Sequence, residues 1–236
     1  VLFVCDVDGT IAGTLDWTQE EVRETLARMC KEQLGLSFSL EGVCSGKALM
    51  QLPEVLSYRQ AHEDRWRALI HQYRSSIEGM RDARPMPKAV SGMQQLAQVG
   101  AVRYYTIRKS DTDAQLNQSI QETTRAWLAE NKFPYPDDVV FCQSFIHKLA
   151  SVAREEEEQI AFIDDCWQEL LEAYTLIAAG EYPKIAHIAE DLKRRLVIVA
   201  FGASEIAARH GDLRVVPLPS WENAGNLLHS FEVYPV

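Results

Sequence analysis

Positive charge is scarce in this chain: 24 Lys and Arg stand against 34 Asp and Glu, a formal net charge of −10. A nucleic-acid coat or a binder of anionic membranes needs the opposite balance, so neither partner is expected, although one local basic pocket stays compatible with the total. No apolar run approaches the roughly 18 residues of a membrane-spanning helix. Cysteine is sparse. Cys5, Cys30, Cys44, Cys142 and Cys166 form no CxxC pair and no regular framework. An odd, scattered set in a chain this long fits reduced thiols, and a cytoplasmic location is expected. The six histidines show no metal-ligand spacing, and neither internal repeats nor low-complexity tracts occur. No signal peptide is expected, because the chain opens directly on the strand-like Val1-Leu2-Phe3-Val4 with no charged n-region and no cleavage site. Val1 is not a methionine, so a few native residues before it are expected.

What is present can fold. Of the 236 residues, 47% are apolar and 25% charged, which supplies a core and excludes a disordered chain. The length suits one large domain or a core with a modest inserted module. Residues 1–5 are a short apolar run, long enough for a buried strand and too short for a helix. Helical patterns then fill residues 18–34, 40–52 and 57–76. The first opens with the capping-box spacing Thr18-Gln19-Glu20-Glu21, with Trp17 and Val22 as a hydrophobic staple, and ends at Gly35. The last carries Trp66, Leu69, Ile70 and Tyr73 at helical spacing; Arg59 and Arg65 are expected on its solvated face and Trp66 in the core. Pro85-Met86-Pro87 ends this block. Beyond it, strands at 101–105, 138–142, 159–163, 196–201 and 214–218 alternate with helices at 88–99, 114–131, 143–157, 167–179, 183–195 and 221–230.

That alternation predicts an α/β fold, a Rossmann-like parallel sheet with helices on both faces. Residues 1–11 and 85–236 form the expected core, and residues 12–84 an inserted, all-helical cap. The acidic run at residues 155–158 is a solvated helix face.

Chemistry gathers just past strand ends, where ligands bind in open parallel sheets. Asp6-Val7-Asp8-Gly9-Thr10 follows the first strand. In an extended segment Asp6 and Asp8 point the same way, and two such carboxylates can divide the work of nucleophile and proton carrier. Gly9 lets the backbone turn after them. Alone, the same five residues also suit a turn capped by aspartates. Thr106 ends a second strand with a hydroxyl, and Asp164-Asp165 end a third with two more carboxylates. Such oxygens suit Mg²⁺, although both aspartates also suit a helix cap before Trp167. Lys148 precedes that third strand and could neutralise a carboxylate and a phosphate together; Lys109 is a rival cation. Arg108 lies two residues past Thr106, and His147 is incidental.

In this order the motifs resemble those of the haloacid dehalogenase-like hydrolases: DxDGT at Asp6-Val7-Asp8-Gly9-Thr10, a hydroxyl at Thr106, a cation at Lys148 and the late acidic pair Asp164-Asp165. The helical block looks like that family's cap inserted after strand one. The resemblance covers residues 1 to about 166; the two helices expected between Trp167 and Arg195 look like one element more than the simplest members carry. It implies that Asp6 attacks phosphorus, that Asp8 protonates the leaving oxygen and then activates water, and that Mg²⁺ sits on the Asp6 carboxylate, the Asp8 backbone carbonyl and one or both of Asp164 and Asp165. Thr106, Lys148 and, as a third candidate, Arg108 would hold the phosphoryl oxygens of a small phosphorylated substrate. An acid at Asp8 favours a phosphatase over a dehalogenase. A phosphotransferase or mutase, or a binding protein descended from an enzyme, stays open. Gly13 and Pro85 suit a hinged lid that excludes water and limits substrate size. Oligomeric state and substrate identity carry no signature.

Overall fold

In the computed structural model, which describes residues 1–13, 20–43, 46–74, 76–108, 113–206, 209–210 and 212–231, every side chain of strand β1 (Leu2–Cys5) is fully buried. A strand projects alternate residues to opposite faces, so this strand needs cover on both sides. Trp17, Thr18 and Gln19 of the expected capping box and staple, and also Thr14, Leu15, Cys44 and Lys109, lie outside the described residues.

After β1 come helices α1 (Glu20–Leu34), α2 (Gly46–Met50), α3 (Pro53–Ala61), α4 (Glu63–Arg74) and α5 (Ile77–Asp82). Then follow α6 (Ala89–Ala97), β2 (Ala101–Thr106), α7 (Ala114–Glu130), β3 (Val139–Phe141), α8 (Phe145–Val152) and β4 (Ile160–Asp164). The chain continues through α9 (Trp167–Ala178), α10 (Ala189–Arg195), β5 (Leu196–Phe201), β6 (Arg209–His210), β7 (Leu213–Leu218) and α11 (Ala224–Ser230). Backbone contacts divide it into two units, Val1–Ala12 with Pro85–Val236, and Gly13–Arg84.

The first unit is built on one sheet, ordered β3-β2-β1-β4-β5-β7-β6. All neighbours run parallel except β6 and β7. Leu2 and Val4 join Tyr105, Leu149, Phe162, Leu170 and Ile177 in a core under α8 and α9. On the other face Phe3 meets Phe231 edge-on, and Tyr104 meets Phe133, which stacks on Trp127 of α7. Helices therefore cover both faces, and the α/β, Rossmann-like parallel sheet expected from the alternation is the fold observed. From β1 the chain fills one side with β2 and β3, then crosses to β4 on the other. That reversal beside β1 is a topological switch point, the place where open parallel sheets bind their ligands, at the carboxyl ends of the strands.

The unit Gly13–Arg84 is helical wherever it has regular structure among its described residues. Leu26, Met29, Val55, Trp66, Leu69 and Tyr73 form its own core, as the helical spacing of the last three implies. The Arg59 guanidinium lies 5.8 Å over the Trp66 ring. Its two connections run side by side: Gly13 N–H donates to Arg84 C=O at 2.6 Å, and Ala12 bridges Pro85.

Several elements differ from expectation for local reasons. The helix expected at 57–76 is two, broken at His62, whose φ of −141° and ψ of 51° leave the helical region. The one expected at 40–52 shrinks to α2, after a left-handed turn at Gly42 and before Pro53 opens α3. The sheet is not wholly parallel, because β6 pairs antiparallel with β7 at the edge; two residues carry no alternation to read. The expected helices at 183–195 and 221–230 each begin as a 3-10 turn, at Ala186–Ile188 and Trp221–Asn223.

Most informative is α8, expected to reach residue 157 but ending at Val152. Arg195 takes the backbone that would have continued it, donating to the carbonyls of Ala153 at 3.0 Å, Glu155 at 2.7 Å and Glu157 at 2.8 Å. Asp191 holds the same guanidinium through its Nε at 2.9 Å. Replacing Arg195 by Leu leaves these carbonyls without their charged donor and is expected to cost about 2–3 kcal/mol. The readout is a lower urea midpoint at unchanged slope; an unchanged midpoint would show that the clamp holds nothing.

Candidate active site

Register fixes the site before any side chain is considered. Cys5 pairs with Tyr104 on one side and Ile163 on the other, and Asp6 N–H continues the ladder to Ile163 C=O at 2.9 Å. Asp6 thus stands beside Asp164, the last residue of β4, with Thr106 at the end of β2 just beyond. All three lie at the switch point.

Lys148 reaches them from the first turn of α8, whose N-terminus Ser144 caps by accepting from His147 N–H at 3.2 Å. His147 itself accepts from Gln143 N–H at 3.0 Å, so its role is local. The Lys148 side chain is buried, flanked by the rings of Phe145 and Phe162, and its Nζ bridges Asp6 Oδ1 at 2.7 Å and Asp164 Oδ2 at 2.8 Å. Burial alone would pull the ammonium pKa down, but the two carboxylates outweigh it and hold Lys148 above the ordinary lysine value. One ammonium cannot neutralise two carboxylates. Burial drives the Asp6 pKa well up against the pull of Lys148, and Asp164 and Asp8 add to the rise. Asp164 keeps its other oxygen on Cys166 N–H at 2.8 Å.

The turn after β1 is tied to the acidic pair. Gly9 has φ of 83°, and a Cβ there would fall 2.2 Å from Asp165 Oδ2, so glycine serves both the turn and the close approach. Thr10 Oγ1 donates to Asp165 Oδ1 at 3.1 Å and accepts from Asp165 N–H at 3.0 Å. Its carbonyl accepts from the buried Trp221 indole N–H at 2.7 Å, across 211 residues. Sequence reasoning gave Thr10 no role and read Trp221 only as a helix start. A contact that distant leaves no local pattern.

Asp6 and Asp8 do not share one environment. Asp6 is buried, whereas the Asp8 side chain is 53% exposed. Arg108, expected near the phosphoryl oxygens, grips Asp8, with Nε to Oδ2 at 2.7 Å and Nη2 to Oδ1 at 2.6 Å. Thr106 Oγ1 is the one buried side-chain nitrogen or oxygen among the described residues with no hydrogen-bond partner. An orphaned hydroxyl costs stability, and this one stands at the end of the strand paired with β1, an unclaimed donor.

The chemistry of the donor set fits a hard divalent cation. Asp6, Asp164 and Asp165 offer oxygen ligands at adjoining strand ends. Burial raises the Asp165 pKa and Asp164 raises it further, while the Thr10 hydroxyl opposes them. This is surplus negative charge that a cation would relieve. The Cys166 Sγ lies within 4.8 Å of oxygens of Asp164 and Asp165. Burial and the neighbouring carboxylates push that thiol up to about 12, and a hard cation prefers the oxygens beside it.

No protein-family model and no curated protein matches this chain. Among solved structures it is similar to a protein described as a haloacid dehalogenase-like hydrolase from Burkholderia xenovorans LB400, at 14% identity and TM-score 0.49, covering 99% of this chain and 98% of that one. A haloacid dehalogenase-like family hydrolase from Xanthomonas campestris aligns at 15% identity and TM-score 0.45, over 97% and 94% of the two chains. One from Streptococcus pneumoniae aligns at 11% and 0.43, over 98% and 97%. These likenesses concern the course of the backbone; the site is read from its own side chains.

Replacing Lys148 by Met strands two buried carboxylates and is expected to cost about 3–5 kcal/mol of folding stability. Adding Asp6→Asn should recover part of that loss, because one stranded charge is then gone. Chemical denaturation at pH 7 reads both, and a Lys148→Met protein as stable as its parent would contradict the bridge.

Proposed function

We propose that this chain is a Mg²⁺-dependent phosphomonoesterase of the haloacid dehalogenase-like type, acting on a small phosphorylated metabolite in the cytoplasm. The observation that carries this reading is a buried carboxylate, Asp6, held by a buried lysine, with the unpartnered, buried Thr106 hydroxyl at the end of the neighbouring strand. Together they offer a nucleophile, a cation and an idle hydrogen-bond donor at neighbouring strand ends, which is the equipment of phosphoryl transfer.

In this reading Asp6 attacks phosphorus. An Asp6–phosphorus bond forms, the phosphorus–ester oxygen bond breaks, and Asp8 gives its proton to the departing oxygen. Asp8, now ionised, takes a proton from water as that water attacks phosphorus; inorganic phosphate leaves and Asp6 is restored. Lys148 orients Asp6 through Oδ1 and eases its ionisation, and Thr106 donates to a phosphoryl oxygen. Asp6, Asp164, Asp165 and the Asp8 backbone carbonyl would hold Mg²⁺, which when bound supplies positive charge to the phosphoryl oxygens. The helical unit at 13–84, inserted between β1 and β2, is the natural candidate to select the substrate.

Two measurements test this. The protein should hydrolyse an aryl phosphate, releasing inorganic phosphate with Mg²⁺ and not with chelator, and Asp6→Asn should lose at least about 1000-fold, or ~4 kcal/mol of barrier. Retention of activity within about tenfold would remove Asp6 as nucleophile. Transfer of the phosphoryl group to an alcohol in place of water would indicate a phosphotransferase. Separately, Mg²⁺ should raise the thermal midpoint of the parent and fail to raise that of Asp165→Asn. Equal shifts in the two would place the cation elsewhere.

A further inference from the structure

Asp8 has little around it to hold its carboxylate. With 53% of its side chain exposed, packing cannot choose its rotamer. Arg108 supplies what packing does not. Its side chain is buried, two residues past β2, and three of its nitrogens are committed. Nε and Nη2 grip both Asp8 oxygens at 2.7 and 2.6 Å, and Nη1 donates to Thr124 Oγ1 at 3.2 Å. Thr124 is fully buried on α7 and spends its own proton on the Ile120 carbonyl at 2.8 Å, so its oxygen faces Arg108 as an acceptor. A chain of hydrogen bonds therefore runs from the middle of a long helix, through one planar guanidinium, to an exposed carboxylate.

We propose that Arg108 is the positioning residue for Asp8, fixing the plane of the proton-carrying carboxylate, and not a ligand of the phosphoryl group. This rests on the phosphatase reading for the task of Asp8, but the pairing stands on geometry alone. A side-on guanidinium fork occupies one lone pair on each carboxylate oxygen and leaves the others facing outward, toward solvent or an entering ester. Swinging Arg108 onto a phosphate would break three hydrogen bonds at once, strand Thr124 and release Asp8 to rotate. The arrangement also excludes lysine as an equivalent, because an ammonium cannot hold both oxygens and Thr124 in one plane.

The two roles separate by leaving group. Proton donation matters for an alkyl phosphate, whose alkoxide is a poor leaving group, and matters little for a nitrophenyl phosphate; binding of the phosphoryl group matters equally for both. Arg108→Ala and Arg108→Lys should lower turnover of an alkyl phosphate by about 100-fold, with a much smaller loss on the nitrophenyl ester. Inhibition by inorganic phosphate should stay unchanged. Equal losses on both esters together with weakened phosphate inhibition would overturn the proposal. A second readout needs neither turnover nor a folded variant at position 108. The Arg108 Nε–H resonance of the parent protein should stay in place when inorganic phosphate is titrated in, and move in Asp8→Asn. Movement with phosphate and none in Asp8→Asn would overturn the proposal. Failure to hydrolyse either ester would instead count against the phosphatase reading, leaving the resonance to decide the pairing.

Discussion

One ammonium between two carboxylates organises this molecule's chemistry. Lys148 Nζ lies 2.7 Å from Asp6 and 2.8 Å from Asp164, in a site closed to solvent. Neither aspartate could be buried at a strand end without it, because an uncompensated buried charge costs several kcal/mol. The bridge makes demands on the rest of the fold. β1 and β4 must be neighbours in one register, and α8 must begin where its first turn points Lys148 at both aspartates. The Ser144 cap sets that beginning, and the Arg195 clamp sets where the helix stops.

Around the bridge, two aspartates of one motif are held in opposite ways. Asp6 is buried and paired with a point charge, which leaves it oriented but under-compensated. Asp8 is exposed and paired with a planar fork, which fixes its direction while leaving it open to solvent. The proposed division into nucleophile and proton carrier uses this contrast, since one would be shielded and the other would exchange protons. The turn that follows them is held by partners distant in sequence: Asp165 packs against Gly9, Thr10 locks Asp165, and Trp221 locks Thr10. A residue near the end of the chain thereby stiffens the motif at its start.

How much of this was legible in the sequence follows from the range of each interaction. The sheet was legible because its strands are short apolar runs between helical patterns, and the residues at strand ends followed from it. Asp6, Thr106, Lys148 and Asp164 were named from position and type; Asp6, Thr106 and Asp164 lie at the ends of neighbouring strands, and Lys148 bonds both aspartates. What escaped was set by side chains distant in sequence. The partnership of Arg108 with Asp8 spans 100 residues and that of Trp221 with Thr10 spans 211, and no periodicity encodes either. The early end of α8 escaped for the same reason, since its glutamates favour a helix locally while Arg195, about 40 residues on, takes the carbonyls. The edge strand β6 was too short to carry any pattern.

The central claim is that Asp6 carries the phosphoryl group covalently, and it is tested most directly by trapping that bond. Protein turning over an aryl phosphate with Mg²⁺ is quenched and treated with borohydride, which reduces an aspartyl-phosphate to homoserine while leaving free carboxylates untouched. Peptide mass spectrometry should find homoserine at Asp6 alone, and only in samples quenched during turnover. Continued phosphate release with no modified Asp6, or modification at Asp8, Asp164 or Asp165 in its place, would contradict the account.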